Sequence, residues 1–265
     1  MSHIGQLIRD WRGTRRLSQL ELALDAGISS RHLSFVETGR AKPSRDMILL
    51  LAETLSIPLR DRNSLLRAGG YAPEFQETGL GEPMLAPCRR ALEFILEKQE
   101  PYPAVVVDTA FNPVMANRAM MRTSIWLLGA RAGEASGNLL LSLFDEAGIK
   151  PFVVNWREVA GHTLRRIRHS AQIQGPGSAV RKLFDEIMTR PETPELLNAG
   201  LGPDSDTPLL RVDLEKDGTR LSLFSAIATF GTAYDITVSE LLIETQFPAD
   251  EASQRLLQSW AVAEV

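Results

Sequence analysis

Apolar residues recur at helical spacing through the first 70 positions, and then the period changes. Ile4, Leu7, Ile8 and Trp11 repeat three and four apart, which predicts a helix over 4–16. Ser18 followed by Glu21 is a capping box that opens a second helix running to about Ala26, with Leu20, Ala23 and Leu24 expected to face inward. Gly27 supplies the left-handed conformation of a sharp turn, and Ile28 is expected to pack beneath it. Ser29 caps a third helix ending near Thr38, with Leu33 and Val36 inward. Pro43 and Ser44 open a fourth helix with Ile48, Leu51, Ala52 and Leu55 on one face, and a fifth spans 61–68. These five predicted helices make a small all-α unit over 1–70. Gly69, Gly70, Gly79, Gly81, Pro83 and Pro87 then punctuate a predicted linker, 71–88.

Beyond the linker, 89–97 is amphipathic, and Val105, Val106 and Val107 read as a strand. A turn at 108–113 returns as a second strand at 114–116, and Asn117 caps a helix carrying Ala119, Met120 and Met121. Helices are predicted at 155–170 and 179–189. Strands follow at 209–214 and 220–229, joined through Asp217-Gly218, and a last one is predicted at 241–247. Strands at both ends around central helices predict an α+β body, 89–265, with an antiparallel sheet. The chain therefore reads as multidomain.

Charge sharpens that division. The net charge is −4, but residues 1–70 hold 11 Lys and Arg against 7 Asp and Glu, a net +4, whereas 71–265 hold 18 against 26, a net −8. A basic head on an acidic body fits a protein whose head alone meets phosphate. A single cysteine, Cys88, excludes an intramolecular disulfide framework and fits a reducing cytoplasm. No apolar run approaches the ~20 residues of a membrane span, and the N-terminus carries no signal-peptide pattern. Cytoplasmic localisation is expected.

The two helices either side of Gly27 have the layout of a helix-turn-helix, whose second helix offers its N-terminal residues to the major groove. Ser30, Arg31, Ser34 and Phe35 are the outward positions, with Ser29 beside them at the cap. Arg31 has the donor geometry for guanine O6 and N7, and Phe35 suits a thymine methyl. Gln19 at the start of helix two, and Arg40 and Lys42 after helix three, are placed for the phosphate backbone. No catalytic set emerges. His3, His32, His162 and His169 show no metal-ligand spacing with Cys88, and there is neither a phosphate loop nor a nucleophile elbow. No enzyme activity, metal or tightly held cofactor is expected.

Residues 18–45 closely resemble the helix-turn-helix of the Xre/phage-repressor family, in which the position of Glu37 pairs within the head. The run VVVDTAFNPVMANRA at 105–119 resembles the opening of a PAS domain. Over essentially the whole chain, the blocks SSRHLSFVETGRAKPSRDM, PLRDRNSLLRAGGYAP, PYPAVVVD, PFVVNWREVA and IETQFPADEAS resemble the MmyB-like transcription regulators. That resemblance implies a five-helix, repressor-like head and a PAS-like body that binds a fatty-acid-like ligand. The chain departs from the family at 230–237, where Ala233 and Tyr234 stand in place of the usual proline and polar residue.

An apolar pocket needs apolar walls and one polar end. Candidate walls are Val107, Met115, Met120, Trp126, Trp156, Leu223 and Phe230; candidate anchors are Asn117, Asn155, His162 and Arg165; Tyr234 is a candidate for the mouth. The expected partners are double-stranded DNA at a palindromic operator, an apolar small molecule and a second copy of the chain. The alternative is a body that serves only for dimerisation or for a protein partner.

Overall fold

The computed structural model describes residues 3–132, 137–175, 177–199, 209–231 and 233–262. The head consists of α1 (His3–Thr14), α2 (Gln19–Asp25), α3 (Ser30–Glu37), α4 (Arg45–Thr54) and α5 (Leu59–Ala68). Serine sets three of the starts. Ser18, Ser29 and Ser44 accept the backbone N–H of Glu21, His32 and Met47 through their hydroxyls. Each such cap contributes about 1 kcal/mol. The Glu21 carboxylate returns to the N–H of Ser18 at 2.7 Å, completing the capping box. Gly27 turns the chain between α2 and α3 at φ +65°, where a side chain would be strained. Ile8, Leu22, Leu33, Ile48, Leu51 and Leu66 fill the centre.

One expectation in the head is overturned. Leu20 and Leu24 are 68% and 78% exposed, whereas Leu22, Ala23 and Ala26 are buried. Positions 22, 23 and 26 define the inward stripe of α2. Leu20 and Leu24, one turn apart, share the opposite face.

The body begins with α6 (Ala86–Lys98), earlier than the predicted 89. There follow β1 (Ala104–Val107), β2 (Pro113–Ala116), α7 (Arg118–Leu128), α8 (Leu139–Leu143), α9 (Trp156–Gln174), α10 (Ala179–Ile187) and α11 (Thr193–Asn198). The chain returns through β3 (Arg211–Lys216), β4 (Thr219–Ala228), α12 (Ile236–Ser239) and β5 (Leu242–Pro248), and ends its described part with α13 (Glu251–Val262). Among the described residues five strands form one antiparallel sheet in the order β2-β1-β5-β4-β3. This is an α+β body with one antiparallel sheet. Strand β3 starts at Arg211 rather than 209. Asp217 and Gly218 both take positive φ in the hairpin turn to β4, as a two-residue connection requires.

The two faces of the sheet do different work. Val105 and Val107 point into a large core with Leu164, Ile167, Leu221 and Leu223. Ala104 and Val106 point the other way, onto Leu92 and Leu96 of α6. The period of two along β1 thus serves helices on both sides.

The segment joining head to body is packed along both. The Asn63 side chain of α5 accepts the N–H of Glu74 and Phe75 and donates to the carbonyl of Phe75. Ile236 N–H donates to the carbonyl of Gln76, and Thr78 N–H to the Asp235 carboxylate. Arg60 of α5 bridges Glu77 and Glu240 with four hydrogen bonds of 2.6–2.9 Å. At a second place, Gly175 at the end of α9 lies against the ring of Trp11 in α1. A Cβ at Gly175 would come within 2.7 Å of Trp11 Cη2.

Candidate DNA-reading face and ligand cavity

The candidate DNA-reading face is built on the start of α3. Ser29, Ser30 and Arg31 are exposed, and Ser34 and Phe35 are half-buried beside them. The Arg31 guanidinium lies 5.4 Å from the centre of the Phe35 ring, so the two side chains form one unit. Arg40 and Lys42 project from the loop after α3, and Lys42 Nζ stands 5.4 Å over the ring of Tyr71. Tyr71 is itself tied to the Pro43 carbonyl. None of these residues contacts the body through a bond or ion pair found among the described residues.

Gln19 is held differently from the others. Its Nε2 donates to Glu37 at 2.7 Å, and the Glu37 carboxylate, 1% exposed, also accepts Arg12 Nε and Nη2 at 2.7 and 2.9 Å. Arg12 Nη1 reaches the carbonyl of Leu17. One buried carboxylate thereby fixes α1, α2 and α3 relative to each other, and it sets where Gln19 can present its remaining amide atoms.

In the body, a cavity of about 740 Å³ lies between the sheet and helices α7, α8 and α9. The size falls within the usual range for small-molecule sites. Its walls are mostly apolar, with Phe111, Met120, Leu127, Leu140, Leu143 and Leu223 among them. The mouth carries Met121, Ile125, Leu209 and Ile227, which are 42–59% exposed.

Polar groups reach it from the helices and from the sheet, Thr123 and Ser124 of α7 and Ser142 of α8 among them. From α9 come His162, Thr163 and Arg166; from the sheet come Ser225, Glu244 and Gln246. Burial, and then the charges of Arg165 and Arg166, lower the pKa of His162, so its imidazole is neutral at neutral pH. Arg166 lies 5.3 Å over the Phe111 ring, and no carboxylate among the described residues forms an ion pair with it.

Of the sequence-predicted pocket residues, the structure brings Met120, His162 and Leu223 to the cavity. It places the rest elsewhere. Val107 is buried core beyond the lining residues. Met115 and Phe230 pack on the opposite face of the sheet with Ile95 and Cys88. Asn117 caps α7 and knots the chain, accepting Ala104 N–H and donating to the Tyr102 carbonyl. Asn155 ties α9 to β3 through Arg211 and Asp213. Trp126 packs on Trp260, and Trp156 donates to the Leu143 carbonyl beneath Lys150. Arg165 reaches the carbonyl of Ala199. Tyr234 is 84% exposed and does not line the cavity, and its neighbour Thr232 lies outside the described residues.

Arg166, Ser225, Glu244 and Gln246 were missed. The signal for Arg166 was present, since it follows His162 by one helical turn. Alternation along β4 and β5 put Ser225 with Leu223, and Glu244 with Gln246.

Among the described residues no group of three His, Cys, Asp or Glu is placed to hold a metal ion, and no helix is long and apolar enough to cross a membrane. Burial, and then the charge of Asp235, raise the thiol pKa of Cys88, which keeps it protonated at neutral pH.

The head and the cavity together define a class: a DNA-binding transcriptional regulator with a ligand-binding type of body. A helix-turn-helix family model matches residues 8–61, and the model of the MmyB-like transcription regulator ligand binding domain matches residues 88–259. The chain belongs to the MmyB-like transcription regulators. An uncharacterized HTH-type transcriptional regulator of Bacillus subtilis (strain 168), RghRB, is 37% identical over 78 residues, 29% of this chain and 54% of that protein. The chain thus spans about half the length of that curated relative. Two solved structures are weakly similar. The PAS domain of Bordetella pertussis BvgS gives a TM-score of 0.28 at 15% identity, covering 66% of this chain and 98% of that one. An RNA-binding light-oxygen-voltage receptor gives 0.27 at 14% identity, covering 100% and 64%.

Proposed function

We propose that this regulator reads a palindromic operator as a homodimer in the cytoplasm, and that a fatty-acid-like amphiphile in its body changes operator affinity. The observation that carries this reading is the 740 Å³ apolar cavity with a guanidinium in its wall, Arg166, that has no ion pair among the described residues. Apolar walls favour a hydrocarbon chain at about 25 cal/mol per Å² buried. Arg166, beside the neutral His162, is the anchor for a carboxylate. On the head, Arg31 reads a base edge, Ser29, Ser30, Ser34 and Phe35 frame it, and Arg40, Lys42 and Gln19 hold the phosphate backbone. One such short reader is weak, and two heads about 34 Å apart on a palindrome multiply its selectivity.

The test uses duplexes selected by the full-length protein from a random library. Their affinity should fall about 10³-fold between 50 and 200 mM salt, as expected when a dimer neutralises about six phosphates. Tetradecanoic acid should raise the thermal midpoint and shift operator affinity, since a ligand acts only by binding one state better than another. Salt-independent DNA binding would refute the head's role. A body that ignores the acid while still dimerising would be a dimerisation module only.

A further inference from the structure

The sheet wall of the cavity holds a carboxylate that a simple fatty acid does not explain. Glu244 stands on β5 between Val105 of β1 and Ile227 of β4, its direct cross-strand partners. All three line the cavity. Among the described residues its carboxylate receives one hydrogen bond, from Ser225 Oγ at 2.9 Å, and forms no ion pair. Gln246, two residues on, faces the same space. A half-buried carboxylate beside apolar walls costs free energy unless donors satisfy it. A plain hydrocarbon chain filling the cavity would strip water from Glu244 and give nothing in return.

Glu244 and the anchor also stand on different elements, β5 and α9. Arg166 lies over Phe111, which follows the far end of β1 beyond Val107, whereas Glu244 pairs with Val105. The cavity therefore offers a cation on its helical wall and an acceptor on its sheet wall, beside Ile227 at the mouth.

We propose that the cavity selects a long-chain carboxylic acid bearing a hydrogen-bond donor, a hydroxyl or an ammonium, along its chain, and that Glu244 with Ser225 and Gln246 is the subsite that reads it. This rests on the ligand-binding reading of the body and names its ligand class. The volume, at about 30 Å³ per water-sized group, accommodates roughly 25 such groups, enough for a substituted chain.

The test compares three acids of equal length, decanoic, 10-hydroxydecanoic and 10-aminodecanoic acid, by calorimetric titration of the full-length protein. The acid bearing the matching donor should bind roughly tenfold tighter than decanoic acid, the usual advantage of a hydrogen bond to a charged group. Which of the two substituted acids gains identifies the donor. Glu244→Leu should abolish that advantage and tighten decanoic acid, with an unchanged thermal midpoint showing that the variant folds. Glu244→Gln keeps an acceptor, and should retain most of the preference for the hydroxyl and lose that for the ammonium. Equal binding of all three acids overturns the donor subsite and leaves the ligand-binding reading intact. Binding of none overturns both.

Discussion

Replacing Arg12 with Met should unfold the head while leaving the body folded. The Arg12 guanidinium gives two hydrogen bonds to Glu37, whose carboxylate is 1% exposed, and a third to the Leu17 carbonyl. Without it, a buried charge keeps one amide donor, Gln19. Removing one partner of a buried pair typically costs 3–5 kcal/mol, roughly, because the remaining charge is stranded. At about 0.05–0.15 kcal/mol per residue, a head of some 70 residues has ~3.5–10 kcal/mol in total. The loss is therefore comparable with the whole stability of the head. Hydrogen-exchange mass spectrometry should show protection falling across α1 to α5 while β1, β4 and β5 stay protected, and DNA binding should disappear. The double variant Arg12→Met with Glu37→Leu removes both charges and should recover most of the stability. A cost below about 1 kcal/mol for Arg12→Met, the range of exposed ion pairs, would refute the claim that this pair is buried and organises the head.

Three other outcomes follow. Arg31→Ala should cost about 1–3 kcal/mol and relax base preference at one operator position, whereas Lys42→Ala should weaken all sequences alike and reduce the salt slope by about 1; competition binding at several salt concentrations separates them. Asp61, beside Arg60, has its pKa raised to about 6, by burial first and then by the charge of Glu240. Its folded pKa exceeds the ordinary 3.8, so the stability it contributes is full below that value and is lost as pH rises through about 6. Asp61→Asn should therefore raise the stability at pH 7.5 by on the order of 1 kcal/mol after allowance for solvent screening, and change little at pH 4, as thermal midpoints from differential scanning calorimetry would show. Arg60→Ala removes the bridge to Glu77 and Glu240, which are partly exposed. It should cost at most about 1 kcal/mol in stability, yet weaken the effect of tetradecanoic acid on operator affinity measured by anisotropy; an unaltered response would show that the bridge carries no coupling.

The head was legible because its determinants are local. Ser18, Ser29 and Ser44 each satisfy an amide three residues away, and such pairs can be read along the chain. Leu20 and Leu24 misled because a helical repeat reveals that a stripe exists, and not which stripe wins the core. In the body the strands were legible as apolar runs, while α11 and α13 were not. Leu256, Leu257 and Trp260 give α13 an apolar stripe too sparse to stand out before its docking surface is known. The cavity was the least legible part. Whether a large side chain lines space or fills it depends on where helices diverge from the sheet. Trp126 and Trp156 are as apolar as Met120, but each found a partner, Trp260 for one and the Leu143 carbonyl for the other. Arg165 and Arg166 are neighbours in sequence and about 100° apart around α9, which is enough to send one to Ala199 and the other over Phe111.

The way the head is seated bears on how a ligand could reach it. A free tether between the two parts would transmit nothing, but Asn63, Gln76 and Thr78 bind this connection to α5 and to the start of α12. Among the described residues Arg60 meets Glu240 and Trp11 meets Gly175, and each contact is continuous with a cavity wall. Helix α9 carries His162 and Arg166 on the cavity and ends at Gly175 against Trp11. From Arg166 to Gly175 is nine residues, about 14 Å of helix. Strand β5 carries Glu244 and Gln246, and Glu240, just before it, holds Arg60. A ligand that changes the separation of α9 from β5 therefore displaces two supports of one rigid head. Since the residues at the start of α3 make no bond or ion pair with the body among the described residues, such a displacement would leave each reading surface intact. In a dimer it would alter the spacing between the two, which is the quantity a palindromic operator measures.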